Sequence, residues 1–570
     1  MTPRTYYRLA LMVFALLTGV YLLTASGHTY SIDEELMFGV TESLVLRGNF
    51  ALDTRADGAT SDPTYSQYGP GQSIAALPLY GLGRTIASVF PENAYPWLTR
   101  AIVCWLNAFV TAGIGALMVL AGGWLGYAGR AAVGTALLYG LATMAWPHSK
   151  TFFAEPLAAL LTFAAFALVI RACLPATYAP TAHLLLAMAG LLASLALLVK
   201  IQAGLALPFL AMHVVLQIGL CCAATMPAGR WRTLSAWWQV PILRLALSRL
   251  AAWTFGVLVA LALIGLYQAT LFGSPERSGY GTIGAVLSNL FISYPGERLF
   301  TLLFSSGRGI FWYAPPLLLW PIAIWLFWRQ RWPIALITGL MAVAHLVFYA
   351  LVKYFGDGAW GPRYLNIVLP FLVFPLVAFL AGLRGWRQTP WRQAALLLTL
   401  LLAFPVQLGA LTINPAMYIM EVDRRDRYYE LQNSPIIGHL SIAAAQLAQW
   451  YAIHAAPESA ALLRGFSYSE GRRSQGEQLP RWTLPTADIG LRPPDRTHLS
   501  LHMGLLGCLP EPLPPADVHI ALNQTPLFHT TPCPPRVYHL LLPARSAQLT
   551  LQSDPWQPAD AGIERQGRWG

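Results

Sequence analysis

Three adjacent carboxylates, Asp33, Glu34 and Glu35, directly follow the first hydrophobic stretch of the chain. Consecutive residues point to different faces of a helix, so these acids are not expected to form one cluster. A carboxylate at the mouth of a membrane domain can take a proton from a water-soluble reactant that meets a lipid-borne one. The alternative is structural, because acids in the first turn of a helix are stabilised by its dipole. The residues alone leave both interpretations open.

A basic residue with a different potential, Arg363, follows Trp360 in the segment GAWGPR at the expected outer end of a hydrophobic span. A guanidinium there can bind a lipid phosphate through two hydrogen bonds and offset charge that develops on it. The alternative is an interfacial arginine beside a tryptophan of the aromatic belt. Lys353, Tyr354 and Arg308 are weaker candidates for the same task.

Two further ionisable residues, Glu155 and Lys200, stand at the outer ends of apolar spans. Such residues are costly in a membrane and are more often functional than decorative. The alternative for both is a satisfied ion pair between helices. His148 shares the short turn WPHSKTFFAE with Glu155. Convergence of His148, Asp33 and Glu155 on one divalent ion is conceivable, but separation in sequence gives no geometry.

The amino-acid composition indicates the class of protein to which these residues belong. The chain has 570 residues, of which 56% are hydrophobic and 11% are charged. Soluble domains carry about 25% charged residues, so this composition indicates a polytopic membrane protein. The formal net charge of +11 is scattered between apolar spans rather than gathered in one basic cluster. Nucleic-acid binding needs such a cluster and is not expected.

Apolar runs of about 20 residues predict eleven membrane helices. Arginines recur on every second connection, which places the N-terminus in the cytoplasm and, after an odd number of spans, the tail outside. The hydrophobic stretch 73–90 contains Pro78 and Arg84 and would break this pattern, so we interpret it as an interfacial or re-entrant helix. The predicted spans are 8–26, 98–121, 131–147, 152–171, 182–200, 203–222, 250–271, 311–328, 334–352, 364–383 and 393–412.

The chain beyond residue 412 has a different pattern. Residues 413–463 are a polar connector with an amphipathic helix at 440–456, and 464–570 contain short alternating runs separated by Pro-rich turns. Period-two runs punctuated by proline predict an antiparallel β-sandwich, and its likeness to jelly-roll modules is an analogy. Cys508 and Cys533 can form a disulfide if this region lies outside the cytoplasm. The prediction is a membrane domain over 1–412 followed by an extracytoplasmic β-sandwich.

The order of these features resembles the GT-C membrane glycosyltransferases over residues 1–412. The segments that carry the resemblance are the outer Asp-Glu pair, SQYGPGQSIAALPLY, LFGSPERSGY with FSSGRGIFWYAPPLLL, and GAWGPRYLNIVLPF. Protein O-mannosyltransferases and the aminoarabinose transferases of lipid A are the most similar groups. The resemblance implies a polyprenyl-phosphate sugar donor, transfer with inversion, and Asp33 as general base, with Glu34 beside it.

The resemblance also assigns the other site residues. Arg363, Lys353 and Arg308 would bind the donor phosphate. The substrate pocket would be lined by Tyr65, Gln67, Tyr68, Glu155, Lys200, Tyr354 and Trp360. Oligosaccharyltransferases of this superfamily use a divalent ion and the O-mannosyltransferase branch does not; we expect neither a metal nor another cofactor here. The acceptor is a glycan, a lipid or a protein, and the expected location is the bacterial inner membrane.

Two other function classes compete with the enzyme. A transporter or flippase of a lipid-linked sugar would show paired hydropathy repeats and broken midplane helices. In this chain the polar residues gather at one face and the two halves are unlike, which favours the enzyme. A non-catalytic scaffold of the cell envelope is the third class, and the intact Asp-Glu pair with Arg363 argues mildly against it.

Overall fold

The computed structural model of the chain separates into two compact units, Met1–Leu440 and Ser441–Gly570. The division falls inside the predicted connector, 413–463. The residues that the structure describes are 2–52, 64–91, 94–175, 177–225, 240–282, 294–352, 358–383, 388–412, 418, 424–455, 461–466, 483–491, 499–505, 507–509, 513–543 and 548–554.

The first unit is mainly helical, as its apolar composition predicts. Its described strands form two short antiparallel pairs, β1 (Ala51–Leu52) with β2 (Thr64–Tyr65) and β3 (Arg277–Ser278) with β4 (Gly281–Thr282). Four 3-10 helices, Ile201–Ala206, Pro315–Leu319, Arg363–Ile367 and Leu431–Asn433, interrupt the α-helices of the described chain. The α-helices are Pro3–Leu23, Ile32–Leu46, Gly71–Ala75, Leu77–Ala87, Tyr95–Val103, Leu106–Trp124, Gly129–Leu141, Ala145–Ser149, Glu155–Ala172, Ala179–Val199, Leu207–Thr225, Val240–Phe272, Pro295–Phe304, Ile310–Tyr313, Trp320–Leu351, Leu369–Val373, Leu376–Ala381, Pro390–Thr412, Arg424–Tyr429 and Pro435–Ala455.

The prediction of a polytopic helical membrane protein is confirmed, and the count of eleven spans stays a prediction. Within the described residues, 8 helices are long and apolar enough to cross a membrane. Helix Gly129–Leu141 has 13 residues, and helices Leu369–Val373 and Leu376–Ala381 together make one short apolar stretch, Leu369–Ala381. Both fall below the length of about 20 residues that a span requires. Between the predicted spans 311–328 and 334–352, the helical stretch Pro315–Leu351 is kinked where Arg331 leaves helical geometry before Pro333, so a break lies where the sequence predicts one.

The stretch 73–90 does not form a span either. It is covered by the short helices Gly71–Ala75 and Leu77–Ala87, and the second packs against Tyr95–Val103. A Cβ on Gly83 would lie 3.0 Å from the Cα of Thr99, so glycine permits this close approach. The stretch is therefore one arm of a short helical hairpin.

Small residues allow the longer helices to pack closely. Helices Ala179–Val199 and Val240–Phe272 cross at Gly190 and Gly256. A Cβ on Gly190 would lie 2.1 Å from the carbonyl oxygen of Trp253, and one on Gly256 would lie 1.9 Å from that of Ala187. Close contact through small residues is the usual basis of helix association in membranes.

The second unit is the predicted antiparallel β structure. Its strands are β5 (Ala461–Phe466), β6 (Thr483–Gly490), β7 (Leu499–Leu505), β8 (Val518–Leu522), β9 (Thr525–Thr530), β10 (Arg536–Leu542) and β11 (Gln548–Ser553). One sheet has the order β5-β6-β11-β8-β9, and β7 pairs with β10 in a second.

Apolar residues of both sheets form one shared core, as in a β-sandwich. Ile489 and Leu549 come from the five-stranded sheet, and Met503 and Leu542 come from the two-stranded one. The predicted disulfide between Cys508 and Cys533 is present. The β-sandwich prediction is therefore confirmed for the described strands.

Candidate active site

Asp33 occupies the first turn of helix Ile32–Leu46. Ser31 begins this helix, and its hydroxyl accepts a hydrogen bond from the backbone N–H of Glu34. This is the usual side-chain cap of a helix N-terminus. The capped turn directs the Asp33 carboxylate toward Arg363, whose Nη2 lies 3.1 Å from Asp33 Oδ2. The two residues are 330 positions apart in sequence.

Glu34, the neighbour of Asp33, is turned into the protein. Its side chain is completely buried. Its two carboxylate oxygens accept the backbone N–H groups of Tyr30 and Phe152, each at 2.5 Å. Burial raises the pKa of Glu34 to about 7, although these two hydrogen bonds act in the opposite direction. The geometry gives Glu34 a structural role that joins the start of the helix to the turn before Glu155.

Glu35 also points elsewhere, because its carboxylate pairs with Arg100 at 2.9 Å. The three adjacent acids thus have three different environments, as expected for consecutive residues of a helix. Asp33 is the one that meets Arg363.

Four charged side chains, Asp33, Glu155, Lys200 and Arg363, form a continuous network that we call the charge quartet. Lys200 Nζ lies 3.0 Å from Glu155 Oε1, and Arg363 Nε lies 3.5 Å from the same oxygen. Glu155 is the first residue of helix Glu155–Ala172, and Lys200 ends helix Ala179–Val199. An acid at a helix start and a base at a helix end each complement the helix dipole.

Exposure divides the charge quartet into two parts. The side chains of Glu155, Lys200 and Arg363 are 1%, 8% and 5% exposed, whereas Asp33 is 28% exposed. Buried charges persist only when they are paired, and here each buried member has an opposite charge beside it. Asp33 is therefore the member of the quartet that a solvent-borne molecule can reach.

Aromatic rings surround the buried cations. The guanidinium of Arg363 lies 4.1 Å from the ring centre of Phe153 and 5.1 Å from that of Tyr364. Lys200 Nζ lies 5.1 Å from the Tyr364 ring and 5.9 Å from the Tyr68 ring. Cation–π contacts of this kind favour charge in a desolvated site. Burial disfavours the charged form of Arg363, but Glu155, Tyr364 and Asp33 together outweigh it and raise the pKa of Arg363 above its usual range.

The backbone turn before Arg363 is fixed by two buried side chains. His148 Nε2 is 3.0 Å from the carbonyl oxygen of Trp360, and Arg308 Nη1 donates to the carbonyl oxygen of Gly361 at 2.8 Å. Burial lowers the pKa of His148 to about 4, so a neutral imidazole donates from Nε2. Arg308, predicted to bind phosphate, thus contacts the chain that carries Arg363.

Tyr68 and Gln67, both predicted to line the pocket, lie beside the charge quartet. The amide of Gln67 donates to the hydroxyl of Tyr68 at 2.9 Å. Burial, together with the negative charge of Asp33, raises the pKa of Tyr68, so its hydroxyl remains protonated. Tyr280 packs edge-on against Tyr68, with ring centres 6.1 Å apart. Tyr65 instead contacts Phe272, at 6.1 Å between ring centres.

The remaining predicted site residues have other positions. Trp360 is buried and packs edge-on against Tyr313, so its ring belongs to the core. Lys353 and Tyr354 lie outside the described residues. Across the described chain, no group of three or more His, Cys, Asp or Glu side chains is arranged to hold a metal ion.

Sequence reasoning missed three residues of the site: Phe153, Tyr280 and Tyr364. Phe153 and Tyr364 are sequence neighbours of singled-out residues, and Tyr280 lies in the quoted segment LFGSPERSGY. Their closeness in sequence to Glu155 and Arg363, or their place in an outer loop, was the signal that could have identified them. The assembled site offers a solvent-reachable carboxylate beside two buried cations. This arrangement can accept a proton and hold an anion.

The chain has several structural neighbours among solved structures, and ArnT and AglB are two of these proteins. The crystal structure of ArnT from Cupriavidus metallidurans bound to undecaprenyl phosphate has 15% sequence identity and a TM-score of 0.44, covering 78% of this chain and 72% of that chain. The archaeal oligosaccharyltransferase AglB from Archaeoglobus fulgidus, in complex with an inhibitory peptide and a dolichol-phosphate, has 13% identity and a TM-score of 0.37, covering 75% and 60%.

Both neighbours are GT-C superfamily membrane glycosyltransferases, the class that the sequence resembles. No protein-family profile and no curated protein matches the chain.

Proposed function

We propose that the protein is a glycosyltransferase that moves a sugar from a polyprenyl-phosphate carrier to an acceptor on the extracytoplasmic face of a bacterial inner membrane. The observation that carries this proposal is the charge quartet. Its exposed carboxylate, Asp33, lies 3.1 Å from the buried guanidinium of Arg363. A base for the acceptor and cations for the leaving phosphate are thereby held side by side.

The transfer is a single displacement at the anomeric carbon. The acceptor oxygen forms a bond to this carbon, and its proton passes to the carboxylate of Asp33. The bond between the anomeric carbon and the phosphate oxygen breaks, and polyprenyl phosphate leaves with the electron pair. Attack opposite the leaving group inverts the anomeric configuration.

Arg363 and Lys200 support the departure of the phosphate. As negative charge develops on the phosphate oxygens, preorganised cations in a buried site stabilise it more strongly than water does. Glu155 holds both cations in place through contacts of 3.0 Å to Lys200 and 3.5 Å to Arg363. No proton donor is needed, because phosphate is a good leaving group.

The proposal is tested with purified protein and a panel of synthetic polyprenyl-phosphate sugars, by comparison of the native chain with Asp33→Asn. We expect one donor to be consumed, and turnover to fall by about 10²–10⁴-fold in the variant, the usual cost of losing a general base. Glu35→Gln is the matched control, because it removes a carboxylate from the same helical turn but one that pairs with Arg100.

Equal turnover by the native chain and Asp33→Asn would overturn the assignment of the base. Absence of turnover with every donor, together with movement of labelled lipid between leaflets, would favour the transporter.

A further inference from the structure

An apolar groove opens far from the charge quartet, between helices Gly129–Leu141 and Pro390–Thr412. Helix Leu376–Ala381 packs against the first of these and contributes Leu380 to the lining. The groove has a volume of about 350 Å³, within the range of ligand pockets. No residue of its described lining carries a charge or a polar side chain. Such a cavity does not bind water or a polar ligand.

The helix periodicity places one arginine above each wall of the groove. Leu137, Leu138 and Leu141 follow Arg130 at intervals of one helical face, and Leu396 and Leu400 follow Arg392 in the same way. Both arginines stand in the first turn of their helices, and both contact the chain at residues 382–383, so they lie at the same end of the groove.

The two guanidinium groups converge on the end of helix Leu376–Ala381. Arg130 Nη2 donates to the carbonyl oxygen of Leu383 at 3.3 Å. Arg392 Nη1 packs so closely on Gly382 that a Cβ there would lie 2.0 Å away. Arg130 is exposed and Arg392 is half-buried. In the described part of the chain, neither is ion-paired with a carboxylate.

We propose that this groove binds one anionic glycerophospholipid, with its phosphate on Arg130 and Arg392 and an acyl chain between the two helices. Charge complementarity selects the headgroup, because two arginines and two helix N-termini face the same point. The apolar walls select the chain, and Pro390–Thr412 is itself a candidate membrane span. Basic pockets between membrane helices are typical sites for anionic lipid headgroups.

The site is distinct from the proposed catalytic centre. Lys150, in the turn before Glu155, donates from Nζ to the carbonyl oxygens of Ala410 and Leu411. Arg392 lies 18 residues before Ala410, or roughly 27 Å along the helix axis. The arginine end of the groove and the turn beside the charge quartet therefore lie at opposite ends of one helix.

The test is a native mass spectrometry titration of the full chain in neutral detergent with phosphatidylglycerol, phosphatidylcholine and undecaprenyl phosphate. We expect one tightly retained phosphatidylglycerol, with an affinity about tenfold or more above that of phosphatidylcholine, since two arginines recognise the extra negative charge. The double variant Arg130→Gln/Arg392→Gln should lose this preference. Leu396→Trp, which fills the groove near Arg392, should weaken binding of both phospholipids.

The double variant Arg171→Gln/Arg329→Gln is the matched control. It removes one half-buried and one exposed arginine away from the groove, where Arg171 donates to Thr177 and Arg329 stacks on Trp325. If both double variants lose the preference for phosphatidylglycerol equally, the proposal is overturned, because non-specific positive charge then explains the binding. Equal retention of the two phospholipids would overturn it as well. Displacement of phosphatidylglycerol by equimolar undecaprenyl phosphate would reassign the groove to the donor chain.

Discussion

Asp33 and Glu155 both contact Arg363, but their surroundings differ. Asp33 is partly exposed, whereas the Glu155 side chain is 1% exposed and lies between two buried cations. An exposed ion pair contributes about 1 kcal/mol or less to stability. Loss of one member of a buried ion pair costs about 3–5 kcal/mol, because the remaining charge is left uncompensated.

Glu155→Gln should therefore lower the apparent unfolding temperature in detergent far more than Asp33→Asn does. The physical reason is the burial of Lys200 and Arg363 without their shared counter-charge. Thermal unfolding of the two variants at a fixed scan rate measures the difference. An equal, small decrease in both would contradict the buried network.

Glu34 gives a prediction about pH. The folded carboxyl has a pKa of about 7 and the ordinary value is 4.5, so between these values the folded state binds more protons than the unfolded state. Its contribution to stability is then greatest below the unfolded pKa and falls as pH rises through the folded pKa. The unfolding temperature of the native chain should fall between about pH 5 and pH 8, and that of Glu34→Gln should fall less.

Glu35→Gln is the control for this measurement, because the Glu35 carboxylate is partly exposed and pairs with Arg100. It should retain the fall in unfolding temperature that burial of Glu34 causes. A Glu34→Gln profile that is parallel to the native one would show that burial of Glu34 does not set the pH dependence.

At the scale of elements, the turn before the 3-10 helix Arg363–Ile367 positions the guanidinium of the site. Gly358 and Gly361 both adopt positive φ, +82° and +65°. Their surroundings differ, because a Cβ on Gly361 would lie 2.7 Å from Tyr313 Cγ, whereas one on Gly358 meets nothing within 4 Å.

Gly361→Ala should accordingly damage the site more than Gly358→Ala. Both variants carry the strain of a left-handed backbone, about 1–2 kcal/mol. Only the first also forces the turn away from Tyr313, which should raise KM for the donor at least severalfold through displacement of Arg363. Steady-state kinetics with the donor measures this, and equal KM values in the two variants would contradict it.

At the scale of the whole molecule, the cysteines report on topology. Cys508 and Cys533 form a disulfide in the second unit, whereas Cys104, Cys173, Cys221 and Cys222 are not disulfide-bonded. A disulfide of this kind persists in an oxidising compartment and is rare in the cytoplasm.

Alkylation of denatured protein from intact cells should therefore modify Cys508 and Cys533 only after reduction. Peptide mass spectrometry measures the modified fraction, and the free thiol Cys104 is the internal control. Complete alkylation of the pair without reduction would place the second unit in a reducing compartment and contradict the predicted orientation.

The sequence predicted the helical membrane unit and the β-sandwich because hydropathy and period-two patterns are local properties. It also offered an ion pair between helices as one interpretation of Glu155 and Lys200, and the two residues form this ion pair. It did not separate Asp33 from Glu34, since the difference depends on Tyr30, Phe152 and Arg363. The contact with Arg363 crosses 330 residues and follows from tertiary packing alone.

Hydropathy placed a break between the predicted helices 311–328 and 334–352, and the chain kinks there at Arg331. The length of a helix was less predictable. Helix Gly129–Leu141 has 13 residues. This length depends on tertiary packing rather than on hydropathy. Local pattern located the apolar segments, and packing set their lengths.

The charge quartet holds two acids and two bases, so its formal charges cancel before any ligand arrives. A bilayer contains a large excess of anionic lipids over any single carrier lipid, and an uncompensated cationic pocket would be occupied by those competitors. A self-neutralised centre has little long-range attraction for them. Binding at this centre would then depend on short-range fit to the sugar and the acceptor. The protein would therefore discriminate against the surrounding anionic lipids before any ligand binds. Arg130 and Arg392, at the other end of the helix, differ in this respect. In the described chain neither is ion-paired with a carboxylate, so their positive charge can attract the abundant anionic lipids.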